Sequence, residues 1–482
     1  MSTRQGGSGK AAVAGSGLRR TRWTRRSAQP LRPSPAAAVG GSRRTAIFAV
    51  LSAMAMVVLD AGIATVALPT VGRSLHVTPA ESVLVVVAYQ AAVLMALLPF
   101  GALGERFGHR RMFANGVAIF TVATGLSSLA PSFPFLLAAR FLQGIGGGAV
   151  MALGVALLRQ TVTHDRLGAA IGWNALTVAL ASAAAPALGA VIVSGGDWRW
   201  IYVVNLPVCL AVLWATRALP EGVTRTGSFD WISTGLNAAL FGLLIVGAQL
   251  VVADTAVAAL VLGGAALSLG ALIGREWGKT APLLPLDLLR ARSFRIPVIA
   301  SVCCFSGQTA ALVALPFYLH GLGQSALVTG LYMTVWPLGV ALTAPIAGRL
   351  ADRAPNAWLC AAGAACLAAG LGGAALLSPE GDPRLLIPMM ALCGAGFGLF
   401  QTPNNRSMFL AAPLERSGAA GGMQGTARVA GQTAGALMMT VLFSVTTVQS
   451  ASRTGLATAA FILIAAALVS IINVRPASRP WS

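Results

Sequence analysis

Charge is scarce in this chain: Asp, Glu, Lys and Arg make up 10% of 482 residues, and only 14 are acidic. Soluble domains carry about 25% charged residues. With 56% hydrophobic residues and a mean hydropathy of +0.76, the composition excludes a water-soluble globular protein and describes a polytopic membrane protein. Histidine is scarcer still. The four present, His76, His109, His164 and His320, lie at loops or segment ends without metal-ligand spacing. No Ser–His or paired-Asp arrangement falls inside an apolar segment, and no glycine-rich phosphate loop of the Walker type occurs. These absences argue against a membrane-embedded enzyme and against ATP coupling within the chain. The six cysteines, Cys209, Cys303, Cys304, Cys360, Cys366 and Cys393, lie in apolar segments without ligand spacing and read as small packing residues. No cofactor and no metal is expected.

Positive charge, by contrast, is in excess, with a formal net charge of +20. Its placement decides what it means. Residues 1–45 hold ten Lys and Arg and no acid, in a stretch rich in Ser, Gly and Ala. This reads as a disordered basic cytoplasmic tail, with an organellar transit peptide or a later translation start as alternatives. Nucleic acid is not an expected partner. Fourteen apolar segments follow, beginning near residue 46 and ending near 474. With residue 1 inside, 28 of the 34 Lys and Arg fall on inner loops and tails, against four on outer loops: Arg73, Arg199, Arg384 and Arg453. The positive-inside rule then places both termini in the cytoplasm, in a cell (inner) membrane.

Two basic residues, Arg140 and Arg428, remain inside segments, and one acid joins them. Asp60 lies in the middle of an apolar run from about residue 46 to 71, long enough to cross a hydrocarbon core of about 30 Å. An ionised carboxylate there costs about 2.5–3.5 kcal/mol, so it should face a partner or a water-filled cavity. Such groups are functional by default, a purely structural hydrogen-bonding Asp being the alternative.

The chain also repeats itself. GALGERFGHRR at 101–111 and GRLADR at 348–353 share Gly101/Gly348, Leu103/Leu350, Glu105/Asp352 and Arg106/Arg353 at one offset of 247 residues, on the same side of the membrane. Two helical halves related by an axis along the membrane normal, with a site between them, are a transporter plan. The halves are 46–219 and 294–474, leaving 220–293 as an insertion of two extra helices and 475–482 as a cytoplasmic tail.

At these residues the sequence resembles the major facilitator superfamily, in particular its fourteen-helix drug:proton antiporter branch. LDAGIATVALP at 59–69 is similar to the branch's first-helix signature, with Gly62 and Thr65 where Thr and Asn are usual. AARFLQGIGGG at 138–148, WRWIYVVNLP at 198–207, SFDWIS at 228–233, QTPNN at 401–405 and GMQGTARVAGQ at 422–432 are similar to its later motifs. The helix-5 antiporter motif is partial: Pro186 and Gly189 remain, while Ala181, Ala185 and Ala190 occupy usual glycine positions. The resemblance implies an all-α polytopic membrane protein with the major facilitator fold, two six-helix bundles plus two central extra helices, 14 transmembrane helices in all. It also gives Arg140 a role in proton coupling with Asp60.

The function expected is proton-coupled efflux of lipophilic, cationic drugs by alternating access, with the proton as coupling ion. The alternative is proton-coupled transport of one metabolite, such as an amino acid, siderophore or sugar derivative; a channel is the reading from another class. The expected cavity wall comprises Asp60, Tyr89, Gln90, Trp173, Asn174, Phe305, Gln308, Phe317, Trp336, Gln401, Asn404, Gln424 and Arg428. Aromatic faces there would hold cations and polar points would anchor small ligands. Each is also readable as packing, Arg428 as evenly as any. Gating is expected from a cytoplasmic latch of Gly101, Glu105, Arg106, Gly108, Arg110 and Arg111, repeated by Asp352 and Arg353, and from Pro186 and Gly189 in helix 5; topology alone also explains the basic loops. The expected partners are a small-molecule substrate and the lipid bilayer. The chain is expected to act as a monomer, with any outer-membrane efflux partner left open.

Overall fold

A computed structural model describes residues 40–221, 229–277, 286–377, 382–413 and 416–472. Most of the basic tail and the whole of 475–482 lie outside the described residues. The helices are α1 (Gly40–Ser74), α2 (Pro79–Phe107), α3 (His109–Ser128), α4 (Phe133–Thr161), α5 (His164–Ser194), α6 (Trp200–Val203), α7 (Asn205–Ala215), α8 (Trp231–Ala253), α9 (Thr255–Glu276), α10 (Leu286–Arg290), α11 (Arg292–Gly321), α12 (Ala326–Leu350), α13 (Asn356–Leu376), α14 (Leu386–Leu410), α15 (Ser417–Val445) and α16 (Val448–Ile471). Among the described residues no strand occurs. Twelve spans are long and apolar enough to cross a bilayer, with α6 and α7 forming one of them. Helices α3 and α15 are less apolar, one opening on a basic loop and the other carrying Arg428, yet both pack within the bundle. With them, the helices of the described residues fit the expected fourteen.

The helix ends follow from the sequence. Thr78 caps α2: its hydroxyl accepts from the Glu81 amide, while the Glu81 carboxylate accepts from the Thr78 amide at 2.7 Å. Asp254 does the same work at α9, accepting from Ala256 and Val257, so a single residue turns the α8–α9 hairpin. Gly108 joins α2 to α3 at a φ of 96°, a conformation that favours glycine.

The packing is duplicated. α1 packs on α5, and α2 and α3 on α4, as α11 packs on α15, and α12 and α13 on α14. Glycines set the distances. A Cβ on Gly146 would come within 2.6 Å of the Gly116 carbonyl oxygen, and one on Gly396 within 2.6 Å of the Gly363 carbonyl oxygen. Likewise Gly144 lies against the carbonyl of Tyr89, and Gly394 against that of Trp336. Tyr89 and Trp336 stand 247 residues apart, the offset of the loop repeat, so the duplication extends well beyond the loop.

The halves meet reciprocally, α5 on α12 and α2 on α15. One apolar cluster spans both halves at the end away from the basic loops, where Ile63, Val66, Leu68 and Val71 of α1 join Leu315, Phe317 and Leu319 of α11 and Met333 and Trp336 of α12. Arg73 and His320, also 247 apart, touch there at 2.9 Å across the halves. Toward the basic end each half keeps its own apolar cluster, and α15 lends Val429 and Ala430 to the first. The α8–α9 hairpin lies over the α2–α15 seam, where the Asn237 side-chain amide donates to the Met95 carbonyl at 3.2 Å.

Candidate functional site

Two of the three mid-depth charges, Asp60 and Arg140, come together. Asp60 on α1 and Arg140 on α4 are 2% and 1% exposed, and Arg140 Nη1 donates to Asp60 Oδ2 at 2.6 Å. The same nitrogen donates to Gln143 Oε1 at 2.6 Å. Gln143 then donates through Nε2 to Asp60 Oδ1 at 3.0 Å and to Thr124 Oγ1 at 2.9 Å. Thr124 passes its own hydrogen to the Phe120 carbonyl at 2.8 Å. The guanidinium stacks over Tyr89, 4.4 Å from the ring centroid, and lies 5.8 Å from the Tyr202 ring.

Local sequence explains the assembly. Arg140 and Gln143 are three residues apart and share a face of α4. The glycines that follow let α4 approach α2 and α3 closely enough to present that face to Asp60. The arrangement stores opposite charges in a dry, hydrogen-bonded setting, where removing one partner of a pair typically costs about 3–5 kcal/mol. Both carboxylate oxygens are engaged, so Asp60 meets a protein partner in this conformation rather than an open cavity.

Sequence reasoning named Asp60 and Arg140 for this site. It quoted Gln143 and Tyr202 within motifs without giving them a place, and it missed Thr124. The signal for Gln143 was its i, i+3 spacing from Arg140; for Thr124 there was none, since a hydroxyl in an apolar helix is commonplace. Tyr89 and Tyr202 have buried hydroxyls without a hydrogen-bond partner.

The other expected wall residues are dispersed. Gln90 is buried on α2 beside Tyr89. Trp173 is 61% exposed, on the side of α5 away from the faces that meet α1 and α12, and Asn174 is half-buried next to it. In the second half, Phe305 and Phe397 form an edge-on pair at 5.3 Å, and Phe317 packs on Phe443 at 4.7 Å. Trp336 is buried at the repeat position of Tyr89; Gln308, Gln401 and Gln424 are half-buried. Asn404 donates to the Pro297 carbonyl at 3.1 Å, a tie between α14 and α11. Arg428 reaches from α15 to Met151 of α4.

The contacts of Arg106, Arg110 and Asp352 do not cross to the opposite half here. Arg110 bonds Glu221 at 3.1 Å and the Arg217 carbonyl at 2.9 Å, Arg106 lies over the Phe107 ring, and Arg111 is exposed at the start of α3. Asp352 pairs with Arg406 at 2.6 Å, and Glu105 and Arg353 are exposed. Gly101 has no neighbour that a Cβ would meet, whereas Gly189 lies against Ile63 of α1, and the Pro186 carbonyl against Gly330 of α12.

The model of the Major Facilitator Superfamily matches residues 50–436. The chain belongs to this superfamily. Among its relatives, the "uncharacterized transporter YebQ" of Escherichia coli is 40% identical over 91% of this chain and 97% of its own length. The riboflavin transporter RibZ of Clostridioides difficile is 31% identical over 77% and 82%. The multidrug resistance protein B homolog of Mycobacterium tuberculosis is 30% identical over 75% and 69%. A crystal structure of a bacterial homolog to the human lysosomal transporter Spinster shares the fold, with a TM-score of 0.67 at 15% identity over 90% of this chain and 98% of that one. This member of the superfamily is a membrane transporter and not an enzyme.

Proposed function

We propose that the protein is a proton-coupled exporter of lipophilic small molecules, working by alternating access between its two halves with the basic end in the cytoplasm. The observation that carries this reading is the buried Asp60–Arg140–Gln143 network, which ties α1, α3 and α4 together through one titratable carboxylate. Protonating Asp60 removes the anion that holds Arg140 and frees α1 to shift against α4. Each pH unit is worth about 1.36 kcal/mol per proton, and each charge moved through 100 mV about 2.3 kcal/mol, enough to drive a lipophilic cargo uphill. With the basic loops inside, the apolar seal and the Arg73–His320 contact close the outer end, as an inward-facing state requires. The loop residues Glu105, Arg106, Arg110, Arg111, Asp352 and Arg353 would exchange partners across the halves when they rock to the outward-facing state.

Export is supported by the relative described as a multidrug resistance protein. A second reading, transport of a single metabolite, draws on the relative described as a riboflavin transporter. Both are tested in proteoliposomes by imposing a pH gradient and following a panel of lipophilic dyes beside riboflavin. Gradient-driven movement of several unrelated dyes is the expected result. Movement of riboflavin alone would establish the second reading, and fluxes indifferent to the gradient would refute proton coupling.

A further inference from the structure

Asp60 and Arg140 cancel each other, which leaves Arg428 as a cation that no carboxylate among the described residues balances. It lies on α15, eleven residues from the helix start at Ser417, roughly 16 Å in at 1.5 Å per residue. Met151, which it reaches on α4, lies at a similar depth from the other end of its helix, so the side chain crosses from the second half to the first near mid-membrane. Its contact there is poor. Nη2 meets the Met151 thioether at 3.5 Å, and Nε is buried without an acceptor. Sulfur is a weak acceptor, and a guanidinium offers five donors in a planar fork suited to a carboxylate.

The surroundings repeat the deficit of acceptors. Tyr89, already stacked under Arg140, turns its buried hydroxyl to Gly147 of α4, one turn before Met151, and that hydroxyl has no partner to which it donates. Gln424 stands one turn before Arg428 on α15, half-buried. An unmatched cation at this depth is costly to keep, and such groups mark substrate pathways. On the reading that the cleft between the halves carries the cargo, we propose that Arg428 receives an acidic group of that cargo, and that the transported class is a lipophilic organic anion. The Tyr89 hydroxyl supplies a second donor, and α2, α4 and α15 close on the anion from both halves. In this conformation Asp60 offers a cationic cargo no free oxygen, because both are already bonded.

The test uses two dyes of similar ring system and opposite charge, fluorescein and rhodamine 123, titrated by fluorescence anisotropy onto the purified full chain in detergent at pH 8. Wild type is expected to bind fluorescein at least about tenfold more tightly than rhodamine 123. Arg428→Gln should erase that preference, Arg428→Lys should retain part of it, and Arg428→Glu should reverse it. Equal or tighter rhodamine binding by wild type, or no saturable fluorescein binding, overturns the proposal even if every variant misfolds. So does an undiminished fluorescein preference in a monodisperse Arg428→Gln protein. No gradient enters the assay, so a failure of proton coupling leaves this result standing and the reverse also holds.

Discussion

At the residue scale the account turns on how a charge survives in hydrocarbon. Asp60 does so by giving one oxygen to Arg140 and the other to Gln143, and Gln143 is itself fixed by Thr124. Removing one member should therefore cost more than removing two. Asp60→Asn and Arg140→Gln are each expected to lower unfolding stability by about 3–5 kcal/mol, while the double substitution recovers most of the loss. A denaturant-unfolding cycle on the four purified proteins measures this, and strictly additive losses would show that the pair is not coupled. The carboxylate and the arginine were legible in the sequence, because an ionisable residue inside an apolar run stands out. Their contact was not, since 80 residues separate them and only the packing of α1 on α4 brings them together. The aromatic and amide residues of the wall were named from side-chain type and their place inside apolar segments, and the structure spreads them over packed pairs, half-buried and exposed positions because side-chain type does not tell which face of a helix it occupies.

At the scale of elements, glycine registers decide which helices touch. The α3–α4 crossing at Gly116 and Gly146 and the α13–α14 crossing at Gly363 and Gly396 have the same 2.6 Å constraint. Gly146→Val and Gly396→Val should each lower the melting temperature, by overpacking worth about 1–3 kcal/mol, and to a similar degree. A large drop from one with none from the other would contradict the equivalence of the halves. Gly330 of α12 lies against Pro186 and Ala190 of α5 at the end away from the basic loops. Gly330→Val is expected to wedge that end open, so that a cysteine placed at Thr329 in a background without the six native cysteines reacts several-fold faster with an impermeant thiol reagent. Unchanged labelling would mean that this contact does not hold the seal. The helices themselves were legible because runs of this length and apolarity have few other solutions in a bilayer. The latch was less so: Arg110 pairs with Glu221 at the start of the insertion and Asp352 with Arg406 of its own half, and a loop motif does not state in which conformation its charges cross.

For the molecule as a whole, the duplication seen in four loop residues proves to run through the core, from the glycine crossings to the Tyr89 and Trp336 positions and the Arg73–His320 contact. The charge sites break that symmetry, since the second half has Met390 and Cys393 where the α4 register carries Arg140 and Gln143. One half thus holds the titratable group, and the other contributes Arg428. The distribution of basic loops predicts orientation as well: alkaline phosphatase fused after Asp254 should be active outside, and the same fusion after Leu350 inactive. The reverse pattern would turn the closed end toward the cytoplasm. The most direct measurement compares wild type with Asp60→Asn in proteoliposomes, following gradient-driven dye accumulation beside dye–dye exchange without a gradient. The account predicts that the variant keeps exchange and loses accumulation. Accumulation at the wild-type rate in the variant would place the coupling proton on some other group.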